Sequence, residues 1–132
     1  MIVDSSAVIA ILLKEPGYER LRDGLVASER ASIGAPTVVE SSLVLCARLG
    51  RAGKTLLARF LEEAELEVVQ FTAEHWTVAA DAFIHYGKGR HPAALNFGDC
   101  LTYAVAKLAG EPLLCLGDDF PSTDIELANL AP

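Results

Sequence analysis

Short apolar runs alternate with longer stretches of helical periodicity along this chain. Met1–Val3 reads as a strand and Ser6–Leu13 as a helix, and Glu15-Pro16-Gly17 breaks the pattern. A second helix follows with Tyr18, Leu21 and Leu25 as its apolar seam, then a short strand at Ala31–Ile33. Past Gly34-Ala35-Pro36, residues Val39, Leu43 and Cys46 recur at helical spacing from about Thr37 to Leu49, and Gly50 and Gly53 end that helix. Leu56–Glu65 repeats Leu57, Phe60, Leu61 and Ala64, so the two helices form an antiparallel pair. Glu67–Phe71 has the β-branched centre of a strand, and Thr72 begins a helix with Trp76, Ala79, Phe83 and Tyr86 as its expected buried seam. Gly87 to Pro92 is a loop. Phe97–Ala109 is a further helix, with Leu101, Ala104, Val105 and Leu108 facing inward, and Leu113–Leu116 is the last clear strand. Ser122–Leu130 suggests a short edge strand.

Strands alternating with helices imply an α/β fold: a mostly parallel, Rossmann-like central sheet covered by helices on both faces. The 132 residues suit one domain, 1–132, able to bury roughly two thirds of its unfolded surface, and the 52% hydrophobic content agrees. No internal repeat, low-complexity stretch or linker divides the chain.

Charge and cysteine content narrow the classes. A net charge of −7 disfavours nonspecific duplex binding, although Arg48, Arg51, Lys54 and Arg59 form one local basic cluster and Lys88, Arg90 and His91 another. The apolar run Ala7–Leu13 is too short to span a bilayer, and Asp4 precedes it where a signal peptide carries positive charge. A cytoplasmic protein without membrane contact is expected. Cys46, Cys100 and Cys115 are odd in number, lack CxxC spacing and lie in apolar stretches, as reduced core residues do.

Ligands of parallel α/β sheets collect beyond the carboxyl ends of the strands. Four acidic positions fall there: Asp4 after the first strand, Glu40 early in the helix after the second, Asp99 at the start of the helix after the Lys88–His91 loop, and Asp118 with Asp119 after the last. Each alone has a plain structural explanation. Thr37-Val-Val-Glu40 fits a capping box, Asn96-Phe-Gly-Asp99 puts an acid three residues after a good N-cap, Asp4 can cap the first helix, and Gly117-Asp-Asp is turn chemistry. Together they mean more. Two carboxylates about 4 Å apart repel by roughly 1 kcal/mol in water and about 4 kcal/mol at an effective dielectric of 20. Capping does not require such crowding, and a divalent cation relieves it. Hard oxygen donors favour Mg²⁺ or Mn²⁺, ions that activate water and neutralise a scissile phosphate. Ser6, two residues past Asp4, is placed to support a ligand by a hydrogen bond.

The stretches Met1-Ile-Val-Asp4-Ser-Ser6, Glu40 in its helix, Asn96-Phe-Gly-Asp99-Cys and Pro112-Leu-Leu-Cys-Leu-Gly-Asp118-Asp-Phe120 with Thr123-Asp-Ile125 resemble those of a PIN-domain ribonuclease. More narrowly, they resemble the VapC toxin of a VapBC toxin–antitoxin pair. The resemblance covers essentially the whole chain. It implies a PIN-like fold and a Mg²⁺- or Mn²⁺-dependent endoribonuclease with Asp4, Glu40, Asp99 and Asp118 as catalytic acids and metal ligands. It also implies cleavage of transfer or ribosomal RNA, a homodimer, and silencing by a VapB antitoxin whose C-terminal segment lies across the active site. Many PIN domains carry Asp-x-Asp-Phe at the fourth acid. Here Gly117 takes the first acidic position, so Asp118, which comes sooner after the strand, is the expected fourth acid and Asp119 its alternative.

Arg90 and His91 are candidates for contact with RNA phosphate, and Trp76 is expected in the core rather than under a base. Two rival readings remain. In an aspartyl-phosphate phosphotransfer or phosphatase domain, the dehalogenase type needs a second acid where Ser6 stands, and Lys107 lies deep in its helix. In a catalytically degenerate PIN-like binding module, four acids would have no ion to hold.

Overall fold

The computed structural model describes Met1–Pro132 throughout. Its four strands, β1 (Ile2–Val3), β2 (Ser32–Gly34), β3 (Glu67–Val69) and β4 (Leu113–Leu114), form one sheet in the order β3-β2-β1-β4, and every pairing is parallel. Helices α1 (Ser5–Leu13), α2 (Tyr18–Ala27), α3 (Ala35–Leu49), α4 (Arg51–Glu63), α5 (Ala73–Tyr86) and α6 (Phe97–Ala109) make the crossovers that parallel pairing requires. Ile2 sits in register with Ser32 on one side and Leu113 on the other. This makes β1 a central strand, and both of its residues are buried.

Strand side chains alternate between two cores. Ile2 and Leu113 join Ala79 and Ala82 of α5 and Tyr103, Ala104 and Val105 of α6 on one face. Val3, Ile33 and Leu114 join Ala7 and Val8 of α1, Leu21 of α2, Leu45 of α3 and Leu57 of α4 on the other. Both faces are therefore covered, as the alternation of elements predicts.

Several boundaries differ from the sequence reading. Helix α4 begins five residues before Leu56, because Gly53 does not end α3 but lies inside α4, facing it. A Cβ on Gly53 would stand 2.5 Å from the backbone carbon of Leu45, so glycine is what lets the pair approach so closely. Strand β3 stops at Val69 and β4 at Leu114. The expected C-terminal edge strand reduces to one parallel bridge, Leu113 to Leu127, preceded by a 3₁₀ turn at Phe120–Ser122.

The inward face of α5 is also corrected. Trp76 is 61% exposed and Phe83 41%, whereas His75, Ala79 and Ala82 are buried. His75 turns inward because it completes a capping box: its Nδ1 accepts from the Thr72 amide at 3.0 Å. That rotation carries Trp76 outward. Leu108 of α6 is likewise 42% exposed, its inward place taken by Tyr103 and Ala106. No helix is long and apolar enough to cross a membrane.

Candidate active site

Asp4 leaves β1 and caps α1. Its Oδ2 accepts from the Ser6 amide at 3.0 Å and from Ser6 Oγ at 2.6 Å. Ser6 Oγ in turn accepts from the Leu116 amide at 2.9 Å, which ties the end of β1 to the chain leaving β4. Asp4 is only 3% exposed, yet its Oδ1 has no hydrogen-bond partner. A buried carboxylate oxygen without a donor costs more free energy than an ordinary contact returns. Capping therefore explains one oxygen of Asp4 and leaves the other unexplained.

Glu40 does not cap α3. The helix starts at Ala35 with Gly34 as its cap and Pro36 in its first turn, so Thr37 lies inside the helix. Thr37 Oγ1 is 3.2 Å from Thr102 Oγ1 of α6, a buried hydroxyl pair that ties the two helices together. The expected Thr37–Glu40 capping box is thus absent. The Glu40 carboxylate instead reaches across to α6 and lies against Gly98, where any Cβ would overlap Glu40 Oε2.

Asp99 does cap, as its spacing from Asn96 predicts. Asp99 Oδ2 accepts from the Asn96 amide at 3.0 Å while Asn96 Oδ1 accepts from the Asp99 amide at 2.9 Å. Even so, its pKa is pushed up to about 6. Burial is the largest cause, and the neighbouring charges of Asp4, Asp119 and Glu40 add to it against the Asn96 hydrogen bond. Every side-chain charge acting on Asp99 is negative. Asp4 and Asp119 act on Cys115 as well, whose thiol is pushed up to about 12 by burial and then by Asp4, Asp119 and Asp99.

Asp4, Glu40 and Asp99 thus gather beyond the carboxyl ends of β1, β2 and β4, together with Asp119. Asp118, the expected fourth acid, is not among the charges that act on Asp99 or Cys115, whereas its neighbour Asp119 acts on both. The sequence offers no signal to separate two adjacent exposed aspartates in a turn. Gly98 also escapes a sequence reading, since its meaning lies in the carboxylate that occupies the space of its missing side chain.

No three acidic, histidine or cysteine side chains stand close enough to enclose an ion unaided. The donor set suits a cation of another habit. Mg²⁺ keeps several waters and takes only one or two carboxylates directly, and the orphaned Asp4 Oδ1 together with the mutually repelled Asp99 provides that kind of seat. The cysteines are free thiols, and Lys107 Nζ is held by Asp124 at 2.7 Å. That engagement takes away the lysine a phosphotransfer site would need near its aspartate.

The loop residues are placed less directly. The Arg90 guanidinium lies 5.5 Å from the centre of the Phe83 ring. His91 accepts from the Ala93 amide at 3.0 Å through Nδ1 and meets Tyr86 edge-on. Beside the acids, an apolar surface runs from α3 over α6 to α5, with Leu43 66%, Phe97 81% and Trp76 61% exposed. Two hollows of about 610 and 360 Å³ lie along it and share Phe97 and Leu101, and Glu40 and Gly98 line the larger.

Comparison with known proteins gives a consistent picture. A family model described as PIN domain matches residues 1–126. Ribonuclease VapC36 of Mycobacterium tuberculosis is 49% identical over 96% of this chain and 91% of its own length. Among solved structures, VapC20 of M. tuberculosis, a toxin that cleaves the sarcin–ricin loop, superposes with a TM-score of 0.78 at 16% identity, covering 94% of this chain and 95% of the other. VapBC2 of Rickettsia felis, bound to a DNA fragment from their promoter, superposes with a TM-score of 0.66 at 15% identity, covering 85% and 83%. The two structures speak for the fold alone.

Proposed function

This chain belongs to the PIN-domain family, among the VapC ribonucleases, and on that premise we propose a Mg²⁺- or Mn²⁺-dependent endoribonuclease, the toxin of a VapBC pair, that cleaves structured transfer or ribosomal RNA. The whole of residues 1–132 acts as one domain. The observation that carries the metal reading is the buried, partnerless Oδ1 of Asp4 at the end of β1, beside an Asp99 that burial and then the charges of Asp4, Asp119 and Glu40 push up to about 6.

Asp4, whose Oδ1 lacks a partner, and Asp99 would hold the ion, and Glu40 and Asp119 would complete the site directly or through water. Asp119 takes the place expected for Asp118, in keeping with the reach of its charge. When bound, the ion neutralises the scissile phosphate and lets water act as a nucleophile at neutral pH. Ser6 keeps Asp4 in one rotamer by bonding its Oδ2. Gly98 leaves room for Glu40. With a net charge of −7, the chain has little general attraction for RNA, so the Arg90–His91 loop and a bound ion would supply the phosphate contact.

The partners follow from the same premise. A VapB-type antitoxin is the expected inhibitor, as VapBC2 of Rickettsia felis is a toxin–antitoxin assembly bound to its promoter DNA. The exposed apolar surface over α3, α6 and α5 supports a homodimer, and the enzyme is read as cytoplasmic. The test is Asp4→Asn. The purified variant should keep its fold by circular dichroism and lose at least about 100-fold in cleavage of total cellular RNA with Mn²⁺ present. Undiminished cleavage would refute the assignment.

A further inference from the structure

The Thr123-Asp124-Ile125 motif takes no part in the site above, yet both oxygens of its carboxylate are spoken for by α6. Tyr103 Oη donates to Asp124 Oδ1 at 2.6 Å and Lys107 Nζ to Oδ2 at 2.7 Å. Asp99, Tyr103 and Lys107 follow one another at intervals of four residues, so they lie along one side of α6. Asp124 is therefore fastened to the same helix face whose first turn carries Asp99.

Asp119 lies five residues before Asp124, and the chain is held at Phe120 and over Thr123–Ile125. Phe120 and Ile125 are buried, Thr123 Oγ1 donates to the Phe120 carbonyl at 2.7 Å, and the Ile125 amide donates to Thr123 Oγ1 at 3.2 Å. The turn bearing Asp118 and Asp119 is loosely held by comparison. Its internal bonds are long, 3.4 Å from the Ser122 amide to the Asp119 carbonyl and 3.5 Å from Ser122 Oγ to the Asp118 carbonyl. Its place is inherited from its anchors on either side: the Leu116 amide on Ser6 before it, and after it the buried Phe120 and then Asp124 on α6.

Lys107 and Asp124 are both nearly half exposed, and an ion pair so open to water adds little to stability. Charge-assisted bonds to both oxygens nevertheless fix the direction of the carboxylate. We propose that Tyr103, Asp124 and Lys107 form a positioning clamp that sets the distance between Asp119 and Asp99, and so tunes the affinity of the site for its divalent cation. The inference rests on the reading of Asp99 and Asp119 as ion-holding residues.

Calorimetric titration of the full chain with Mn²⁺ alone, paired with thermal unfolding, tests it. Tyr103→Phe removes one hydroxyl and keeps the ring. It should weaken Mn²⁺ binding at least threefold with little change in Tm, and Asp124→Asn should weaken it further. Lys107→Met should also weaken binding, and Lys107→Arg should restore it. Arg30→Gln, which breaks a more exposed pair with Glu67 at the outer edge of the sheet, should leave Mn²⁺ affinity unchanged. If Asp119→Asn weakens Mn²⁺ binding while Tyr103→Phe and Asp124→Asn bind like the parent, the clamp is refuted and the site stands. If Asp99→Asn and Asp119→Asn bind like the parent, the site reading and the clamp fall together.

Discussion

A carboxylate has two oxygens, and in this site they are used differently. At Asp4 one oxygen caps α1 and the other is buried without a donor, and at Asp99 capping coexists with a pKa near 6. Because the folded pKa of Asp99 lies above its ordinary value of 3.8, its ionisation weakens the folded state. That loss sets in as pH rises from about 4 through 6 and is complete above it. In chelator, Asp99→Asn should therefore stabilise the protein at pH 7.5 by on the order of 1 kcal/mol, the figure being discounted because the group is only half buried. The gain should vanish near pH 3, below both values, where the aspartate is protonated in both states, and denaturant unfolding at the two pH values checks it. Gly98→Ala is a different probe. Its new Cβ would displace the flexible end of Glu40 rather than any backbone, so the fold should survive while RNA cleavage falls by about tenfold or more. Unchanged turnover would remove Glu40 from the site.

Among the elements, the helix pair α3–α4 shows how packing overrides local signals. Glycine after a helix predicts a stop, and Gly50 is one, but Gly53 belongs to the face where the two helices touch. Gly53→Ala gains about 1 kcal/mol of helix propensity. It also drives a Cβ into the backbone of Leu45 and Cys46, which cannot yield as a side-chain end can. Overpacking of this kind costs about 1–3 kcal/mol, so the net result should be a Tm lower by a few degrees in a thermal melt. Helix α5 teaches the same lesson from the other side. Trp76, Ala79, Phe83 and Tyr86 have good helical spacing, but the periodicity only says that a stripe exists. The His75–Thr72 cap turned the helix so that Trp76 and Phe83 face outward. A capping histidine was a weak signal beside a tryptophan, whose size made it the natural core candidate.

For the whole molecule, that outward stripe joins Leu43 and Phe97 in one apolar surface bordering the acids. Leu43→Glu removes no internal contact of consequence, since the side chain is 66% exposed, but places a charge in the middle of the surface. Light scattering after gel filtration should then report a monomer for the variant and a dimer for the parent. The sequence by itself determined the order of the elements, the parallel α/β class and the boundaries of α6, and it singled out Asp4, Glu40 and Asp99 as candidates. These depend on periodicity and on where a strand ends, both of which are local. Only the tertiary structure decided that Asp119 rather than Asp118 bears on Asp99, that Glu40 caps nothing, that Asp4 keeps an oxygen in reserve, and which side of α5 meets the core. Each of those depends on the distance between groups far apart in the chain, and local periodicity carries no information about that distance.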